Sequence, residues 1–96
     1  MRSSRLFLED IVDAIARIDE FLAGMDQSAF IADEKSKAAV LHKLAVIGEA
    51  ARHLRDDFAG HFPHIDWGKA AGLRNIIAHE YFSIDYNIVY RTARSS

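Results

Sequence analysis

The sequence predicts a single all-α domain, an antiparallel helical bundle of the four-helix type that spans residues 1–96. Apolar residues recur every three or four positions over long stretches, and residues that cap helix starts stand before them. No stretch alternates polar and apolar residues as a half-buried strand would. With 96 residues, one proline and five glycines, the chain has little material for linkers or a second domain.

The first helix is predicted from Ser4 to Leu22. Ser3 or Ser4 can cap its start, and Gly24 follows its end as a glycine stop. Residues 25–32 are expected to form a connector or one short turn. The apolar stripe of this helix, which is expected to face the core, consists of Leu8, Ile11, Val12, Ile15, Ile18 and Leu22.

Three more helices are predicted after the connector. Asp33 caps the second, which runs to about Arg55, Asp66 caps the third, which begins at Trp67, and Asp85 caps the fourth. The buried stripe of the second helix is expected to consist of Val40, Leu41, Leu44, Ile47, Gly48, Ala51 and Leu54. The apolar residues of the other two are Ala70, Leu73, Ile76 and Ile77 in the third helix and Ile88 and Val89 in the fourth.

Two glycines, Gly68 and Gly72, lie four residues apart in the third predicted helix. Each costs the helix about 1 kcal/mol relative to alanine, so we expect a compensating role. Glycine lets another backbone, a partner subunit or a phosphate approach closely. Tight packing within one chain is the alternative to a partner or a ligand at this place.

Charge divides unevenly along the chain. The net charge is −2, but residues 1–34 carry three basic against eight acidic residues, and residues 35–96 carry nine against six. An anionic ligand is therefore expected to meet the second part of the chain, although ordinary solvated helix faces of mixed sign explain the same distribution. The chain has no cysteine, which excludes disulfides and thiolate chemistry.

No segment has the roughly 20 consecutive apolar residues that a membrane span needs. Near the start of the chain, Glu9, Asp10 and Asp13 stand where a signal peptide would carry its apolar core. We therefore expect a cytoplasmic protein that does not associate with a membrane.

The spacing of the histidines does not favour a metal site. Pro63 separates His61 from His64, and the pair His79-Glu80 lacks the second histidine of an HExxH motif. The chain also has no GxSxG elbow and no glycine-rich phosphate loop. We predict neither a bound metal nor a cofactor.

Four polar side chains interrupt the apolar end of the third predicted helix: Arg74, Asn75, His79 and Tyr81. Arginine binds two phosphate oxygens with its planar fork, and histidine is the common general base near neutral pH. On an ideal helix Arg74 and His79 are separated by about 140° and about 7.5 Å along the axis, so they do not stack on one face.

A structural explanation of the same residues stays open from the sequence alone. His79 could cap the helix end, and Arg74 could pair with Glu80 or Asp85. Tyr81 could be a half-buried aromatic anchor.

The run from Arg74 to Tyr81 resembles the RxxxxHxY motif of the HEPN superfamily (higher eukaryote and prokaryote nucleotide-binding domains), in its HepT-like toxin branch. The resemblance covers roughly residues 6–93 and implies the HEPN kind of helical bundle. Family members usually continue past the fourth helix, so the last helix is expected to be short. Four further segments resemble that branch in order and spacing: Leu8-Glu9-Asp10-Ile11, Asp33-Glu34-Lys35, Ile47-Gly48-Glu49-Ala50-Ala51, and Trp67 ahead of Ala71-Gly72-Leu73-Arg74-Asn75.

The resemblance implies a metal-independent endoribonuclease that cleaves RNA through attack of the 2′-hydroxyl, the toxin of a type VII-like toxin–antitoxin pair. Arg74 and His79 would be the catalytic pair, with Asn75 as the polar residue beside the arginine. The resemblance also implies a homodimer whose two motifs face one cleft. Tyr81 would be the residue that a cognate nucleotidyltransferase antitoxin of the MntA type modifies with AMP.

Two arginines near the end of the second predicted helix, Arg52 and Arg55, are expected to extend a track for RNA phosphates, and a plain solvated face is the alternative. Glu49 resembles a family position but receives no catalytic role. The rival function is a noncatalytic dimeric HEPN subunit that binds nucleotide and partners a nucleotidyltransferase. A third possibility is a purely structural helical dimer.

Overall fold

The computed structural model describes residues 3–58 and 67–94. Within these ranges the chain forms no strand, and no helix is both long and apolar enough to cross a membrane. The all-α prediction is confirmed. The helices are α1 (Ser4–Leu22), α2 (Gln27–Ala32), α3 (Glu34–Phe58), α4 (Trp67–His79) and α5 (Tyr86–Arg94), with a short 3-10 turn (Tyr81–Ser83) between the last two.

The longest helix, α3, lies at the centre, because α1 and α4 both pack along it. Phe7, near the start of α1, stacks on His53, near the end of α3, with ring centroids 4.4 Å apart. Leu22, at the end of α1, shares the core with Val40, near the start of α3. The two helices therefore run antiparallel, as predicted. The core cluster consists of Ile18, Leu22, Phe30, Val40, Leu41, Leu44, Val89 and Ala93.

Both ends of α1 lie where the sequence predicts them. The Ser3 hydroxyl accepts a hydrogen bond from the Leu6 amide at 3.4 Å, which satisfies one of the amides that the first turn leaves unpaired. Gly24 has φ +74°, the left-handed conformation that commonly follows a helix end.

Aspartates cap α3 and α5 as predicted. The Asp33 carboxylate accepts hydrogen bonds from two backbone amides at the start of α3, and the bond from Ser36 is the main reason why the pKa of Asp33 lies below its ordinary value. The Asp85 carboxylate accepts a bond from the Asn87 amide at 2.9 Å. The predicted cap of α4, Asp66, lies outside the described residues.

The predicted connector at residues 25–32 contains a helix. Asp26 caps α2 by accepting a hydrogen bond from the Ala29 amide at 2.8 Å, and Phe30 is fully buried. The Phe30 ring lies 6.4 Å from that of Tyr86 and 5.7 Å from that of Tyr90, between centroids. Six residues are too few to show a helical period, so Phe30 could not be identified as a core residue from the sequence.

The last helix, α5, is fixed to the end of α1 and to the segment that follows it by hydrogen bonds to two backbone carbonyl groups. The Tyr90 hydroxyl donates to the Met25 carbonyl at 2.9 Å. The Arg94 guanidinium donates to the Leu22 and Met25 carbonyls at 2.7 and 2.8 Å. A cation at the negative end of the α1 dipole is electrostatically favourable, so Arg94 both caps α1 and holds α5.

Several apolar residues with helical spacing are exposed. Leu8 and Val12 on α1, Ile76 on α4 and Ile88 on α5 lie on the surface. In α4 none of the residues is buried. Within residues 3–58 and 67–94, the chain therefore leaves part of the apolar surface of α4 uncovered.

The close approach of α3 and α4 occurs at Gly48. A Cβ atom at this position would lie 2.9 Å from the Arg74 amide nitrogen and 3.1 Å from the Ala70 carbonyl oxygen, both of them backbone atoms. Within the described residues no group of this chain lies within 4 Å of a Cβ placed at Gly72, and Gly68 is exposed, so tight packing within the chain is not located at Gly72. The glycine that permits tight packing lies on the opposite helix, because it is the central helix that must admit the α4 backbone.

Replacing Gly48 with alanine should destabilise the protein by about 1–3 kcal/mol, because the new methyl group must push α4 away from α3. Gly72→Ala is the matched control, and it should stabilise the protein by about 0.5–1 kcal/mol through helix propensity alone. Urea unfolding followed by circular dichroism measures both effects. Equal stabilisation by the two substitutions would show that α4 does not approach α3 at Gly48.

Candidate functional site

A cluster of charged side chains lies where α3 faces α4, and we call Glu49, Arg52, His53 and Arg74 the Glu49 cluster. One carboxylate oxygen, Oε1, lies 2.9 Å from Arg52 Nη2 and 3.2 Å from His53 Nε2. The other, Oε2, lies 3.3 Å from Arg74 Nε. A single carboxylate thus contacts three basic side chains, one of which comes from the neighbouring helix.

The helix geometry explains how these residues meet. Arg52 and His53 follow Glu49 by three and four residues, the spacings that place side chains next to one another on a helix surface. Arg74 joins them because its backbone amide lies directly opposite Gly48, the neighbour of Glu49 in sequence. The missing side chain at position 48 brings the α4 backbone close enough for the Arg74 side chain to reach the carboxylate.

Glu49 is an ionised anchor for these cations. Its Oε2 atom is buried and, among the described residues, has no hydrogen-bond partner, so its contact with Arg74 is an ion pair rather than a well-aligned hydrogen bond. The hydrogen bond from Arg52 is the main cause that lowers the pKa of Glu49, and His53 and the charge of Arg74 act in the same direction against the effect of burial. The carboxylate therefore stays charged at neutral pH.

The α1 helix supports this cluster from the other side. The Phe7 ring is stacked nearly parallel to the imidazole of His53, at an interplanar angle of 5°. His53 in turn contacts Glu49. All three long helices, α1, α3 and α4, therefore contribute to the position of the Arg74 side chain.

The predicted catalytic residues lie on the exposed end of α4. Arg74, Asn75 and His79 are all exposed, and His79 is the last residue of the helix. Asn75 and His79 are four residues apart and share one face of α4. The ion pair with Glu49 fixes Arg74 on a different side of the helix, so the structure does not bring Arg74 and His79 onto one face.

Tyr81 opens the 3-10 turn directly after α4 and is 53% exposed. Its ring makes an edge contact with the ring of Phe82, whose side chain is fully exposed, at 5.4 Å between centroids. Tyr81 is accessible to a partner protein and lies two residues beyond His79.

The structure corrects the expected alternative partners of Arg74, Glu80 and Asp85, because its ion pair is with Glu49. The sequence alone gives Glu49 no role. The feature that could have indicated a role for Glu49 is its position beside Gly48 in the middle of the longest helix. A carboxylate next to a helix crossing needs a cation. Of the two predicted phosphate contacts, Arg52 is paired with Glu49, and Arg55 is exposed in the last turn of α3.

No group of three or more histidine, aspartate or glutamate side chains within residues 3–58 and 67–94 is arranged as metal ligands would be. The positive groups of the Glu49 cluster suit an anionic ligand instead. The exposed Arg74 guanidinium can present its two terminal nitrogens to phosphate oxygens while Nε faces Glu49.

The pKa of Glu49 predicts how stability depends on pH. Because its folded pKa is lowered, Glu49 contributes stability above the ordinary glutamate pKa of about 4.3, and this contribution is lost as pH falls through the lower folded value. In Glu49→Gln, the unfolding free energy should therefore fall less steeply between pH 6 and pH 3 than in wild type. Glu20→Gln, which breaks an exposed pair with Arg17, is the control and should leave the slope unchanged. If the unfolding free energy of Glu49→Gln depended on pH as it does in wild type, Glu49 would not be an ionised anchor for these cations.

Comparison with known proteins agrees with the motif. The family model described as "Ribonuclease HepT-like" matches residues 11–96. A Methanocaldococcus jannaschii protein named "Putative RNase MJ1380" is 37% identical over 97% of this chain and 85% of its own length. The "Probable ribonuclease HepT" of Thermococcus cleftensis is 36% identical over 97% of this chain and 84% of its own length.

A more distant relative, the "Putative RNase TTE0752" of Caldanaerobacter subterraneus, is 30% identical over 96% of this chain and 82% of its own length. No solved structure matches the chain significantly. The family model covers most of the chain and includes every predicted site residue from Arg52 to Tyr81. The chain therefore belongs to the HepT-like ribonuclease family, within the HEPN superfamily.

Proposed function

We propose that this protein is a metal-independent endoribonuclease in which Arg74 and His79 carry out catalysis. The observation that carries the proposal is the ionised Glu49, which holds the arginine of the motif at the surface, a few residues before an exposed histidine at the helix end. Relatives that align over nearly the whole chain are named as ribonucleases, which supports RNA as the substrate.

The reaction needs a base, because RNA carries its own nucleophile. His79 takes the proton of the ribose 2′-hydroxyl, and the 2′-oxygen then attacks the adjacent phosphorus. A bond forms between the 2′-oxygen and phosphorus, and the bond to the 5′-oxygen of the next nucleotide breaks. The departing 5′-oxygen takes up a proton from the imidazolium of His79. The products are a 2′,3′-cyclic phosphate and a 5′-hydroxyl.

Arg74 stabilises the charge that develops on the phosphorane. Its planar fork holds two phosphate oxygens, and a preorganised cation costs no reorganisation when the charge appears. Glu49 supplies the preorganisation, because its carboxylate fixes the guanidinium before substrate binds. Asn75, on the same helix face as His79, can orient the imidazole or the ribose. Arg52 and Arg55 extend the positive surface toward the end of α3.

We include a homodimer in the proposal, with two motifs facing one cleft. Arg74 and His79 point to different sides of α4, so the pair is completed most simply by a second chain. Apolar side chains beside the motif, Ile76, Phe82 and Ile88, are at least half exposed. Large apolar residues left exposed on neighbouring elements are typical of an interaction surface, and a symmetric dimer would cover them.

The finer part of the proposal is a role as the toxin of a type VII-like toxin–antitoxin pair in the cytoplasm. A MntA-like nucleotidyltransferase would silence it by attaching AMP to Tyr81. The accessible Tyr81 ring, two residues from His79, supports this, because an adenylate there adds bulk and negative charge at the cleft. That charge would compete with the RNA phosphate for Arg74.

A second candidate function is a noncatalytic dimeric subunit that binds nucleotide and holds a nucleotidyltransferase. The net charge of −2 favours it, because a free-standing ribonuclease gains from a basic surface. Incubating the purified protein in chelator with RNA and with DNA of the same sequence separates the candidates. Cleavage of the RNA alone supports the ribonuclease, whereas two intact substrates would favour the noncatalytic subunit.

A further inference from the structure

The imidazole of His53 is an exposed aromatic ring that the protein holds in one orientation. One face of the ring lies on the Phe7 ring, and its Nε2 atom lies 3.2 Å from Glu49 Oε1. The His53 side chain is nonetheless 41% exposed. Because Phe7 covers one face, this exposed area belongs mainly to the opposite face and to the edge turned away from Glu49. His53 therefore presents a fixed, open ring face at the surface.

Two arginines flank this ring. Arg52 Nη2 lies 3.3 Å from His53 Nε2 and shares Glu49 Oε1 with it, and Arg74 pairs with the other oxygen of the same carboxylate. Both arginine side chains are 57% exposed. The two guanidinium groups carry permanent positive charges against the single negative charge of Glu49, so the surface around the ring attracts anions. Proteins bind single-stranded nucleic acid with this combination, because bases stack on the ring while phosphates pair with the cations.

Packing alone does not account for the stack of Phe7 and His53. Neither residue belongs to the core cluster, so the stack is not needed to fill the interior. Exposed ion pairs such as those of Arg52 add little stability. A rigid ring is useful for binding, however, because a group that is already ordered loses little conformational freedom when a ligand arrives.

We propose that the open face of His53 is a stacking subsite for one unpaired nucleobase of the RNA substrate, an inference that rests on the RNA cleavage proposed above. The imidazole and the Arg74 guanidinium contact different oxygens of one carboxylate, so little more than that carboxylate separates them. A phosphate held by Arg74 therefore brings its own base, or the base of the next nucleotide, to the imidazole. Phe7 is a positioning residue, because it touches the ring of His53 from behind.

The subsite selects single-stranded RNA. A base inside a duplex has both faces covered by its neighbours, so it reaches a protein ring only after it leaves the stack. Every base has an aromatic face, and stacking therefore tolerates all four. We expect cleavage at unpaired positions, with little preference for the identity of the base that stacks on His53.

The test measures RNA binding separately from cleavage. A short single-stranded RNA that wild type cleaves is protected by a 2′-O-methyl group on the 5′ side of the cleaved bond, and its Kd is measured by fluorescence anisotropy. One abasic ribonucleotide is then placed in turn at each position that flanks the bond. At one position, loss of the base should weaken binding to wild type about tenfold, a usual effect of losing one stacked base. In His53→Gln the same loss of the base should change the Kd little.

Matched variants separate stacking from the other contacts of His53. His53→Gln keeps a polar group that can contact Glu49 but has no ring, whereas His53→Phe keeps a ring without that contact. His53→Phe should therefore retain most of the preference for intact over abasic RNA. Phe7→Leu should reduce this preference, and Phe7→Tyr should restore it. His42→Gln, which changes an exposed histidine on α3 outside the Glu49 cluster, should bind both RNAs as wild type does.

The outcomes distinguish this inference from the ribonuclease proposal. If wild type cleaves no RNA, the ribonuclease proposal falls, and the abasic comparison on a short oligouridylate decides the subsite by itself. Absence of both cleavage and binding overturns both. Equal Kd values for intact and abasic RNA at every position overturn the inference alone, as does a base preference that persists in His53→Gln. If His53→Phe loses the preference while its melting temperature matches wild type, the imidazole does not act as a stacking surface.

Discussion

Replacing His79 with alanine should lower the rate of RNA cleavage by about 10²–10⁴-fold, the usual contribution of a general base. The side chain is exposed at the end of α4, so its removal should leave the melting temperature nearly unchanged. His42→Ala is the matched control, because His42 is also exposed but lies on α3 away from the motif. Initial rates at equal protein concentration in chelator measure the effect.

One result of this experiment would contradict the assignment of His79 as the base. If His79→Ala and wild type cleave at the same rate, either another residue is the base or the activity is a contaminant. A lower rate in His42→Ala as well would point to a general effect of losing a histidine rather than to a base at position 79.

Replacing Arg74 should have an effect of similar size. Removal of one preorganised group that stabilises the transition-state charge typically costs about 10²–10³-fold in rate. Arg74→Lys keeps the positive charge beside Glu49 but loses the planar fork, so it should recover little of this loss. Arg91→Lys, on the exposed side of α5, is the matched control and should retain full activity. Near-wild-type activity of Arg74→Lys would show that only a point charge is needed.

The proposed dimer can be tested by mixing the alanine variants of Arg74 and His79. If Arg74 of one chain acts with His79 of the other, mixing the inactive Arg74→Ala and His79→Ala proteins should restore about a quarter of wild-type activity. Half of the dimers are then mixed, and each mixed dimer has one complete site. No recovery after demonstrated subunit exchange would mean that the two residues act within one chain.

Much of the fold is predictable from local signals. Ser3, Gly24, Asp33 and Asp85 mark helix ends through chemistry that involves only neighbouring backbone groups, and the structure confirms all four. The signal fails where an element is too short to show a period. Phe30, on the six-residue α2, is therefore a core residue that the sequence did not predict.

Burial and site contacts were less predictable, because they depend on which helices meet. Val12 and Ile76 have the spacing of core residues but are 68% and 50% exposed. The motif indicated Arg74 and His79, yet Glu49 could be assigned only once Gly48 was seen to admit the α4 backbone. Such pairings join residues that are far apart in sequence and leave no local pattern.

The chemistry at the 2′-hydroxyl gives the most direct test of the ribonuclease proposal. A short RNA that wild-type protein cleaves in chelator is compared with the same RNA carrying one 2′-deoxynucleotide on the 5′ side of the cleaved bond, and the product ends are identified by mass. We predict 2′,3′-cyclic phosphate and 5′-hydroxyl ends from the first RNA and no cleavage at that bond in the second. Cleavage of the deoxy-substituted bond, or products with a 5′-phosphate, would contradict the role assigned to His79 and Arg74.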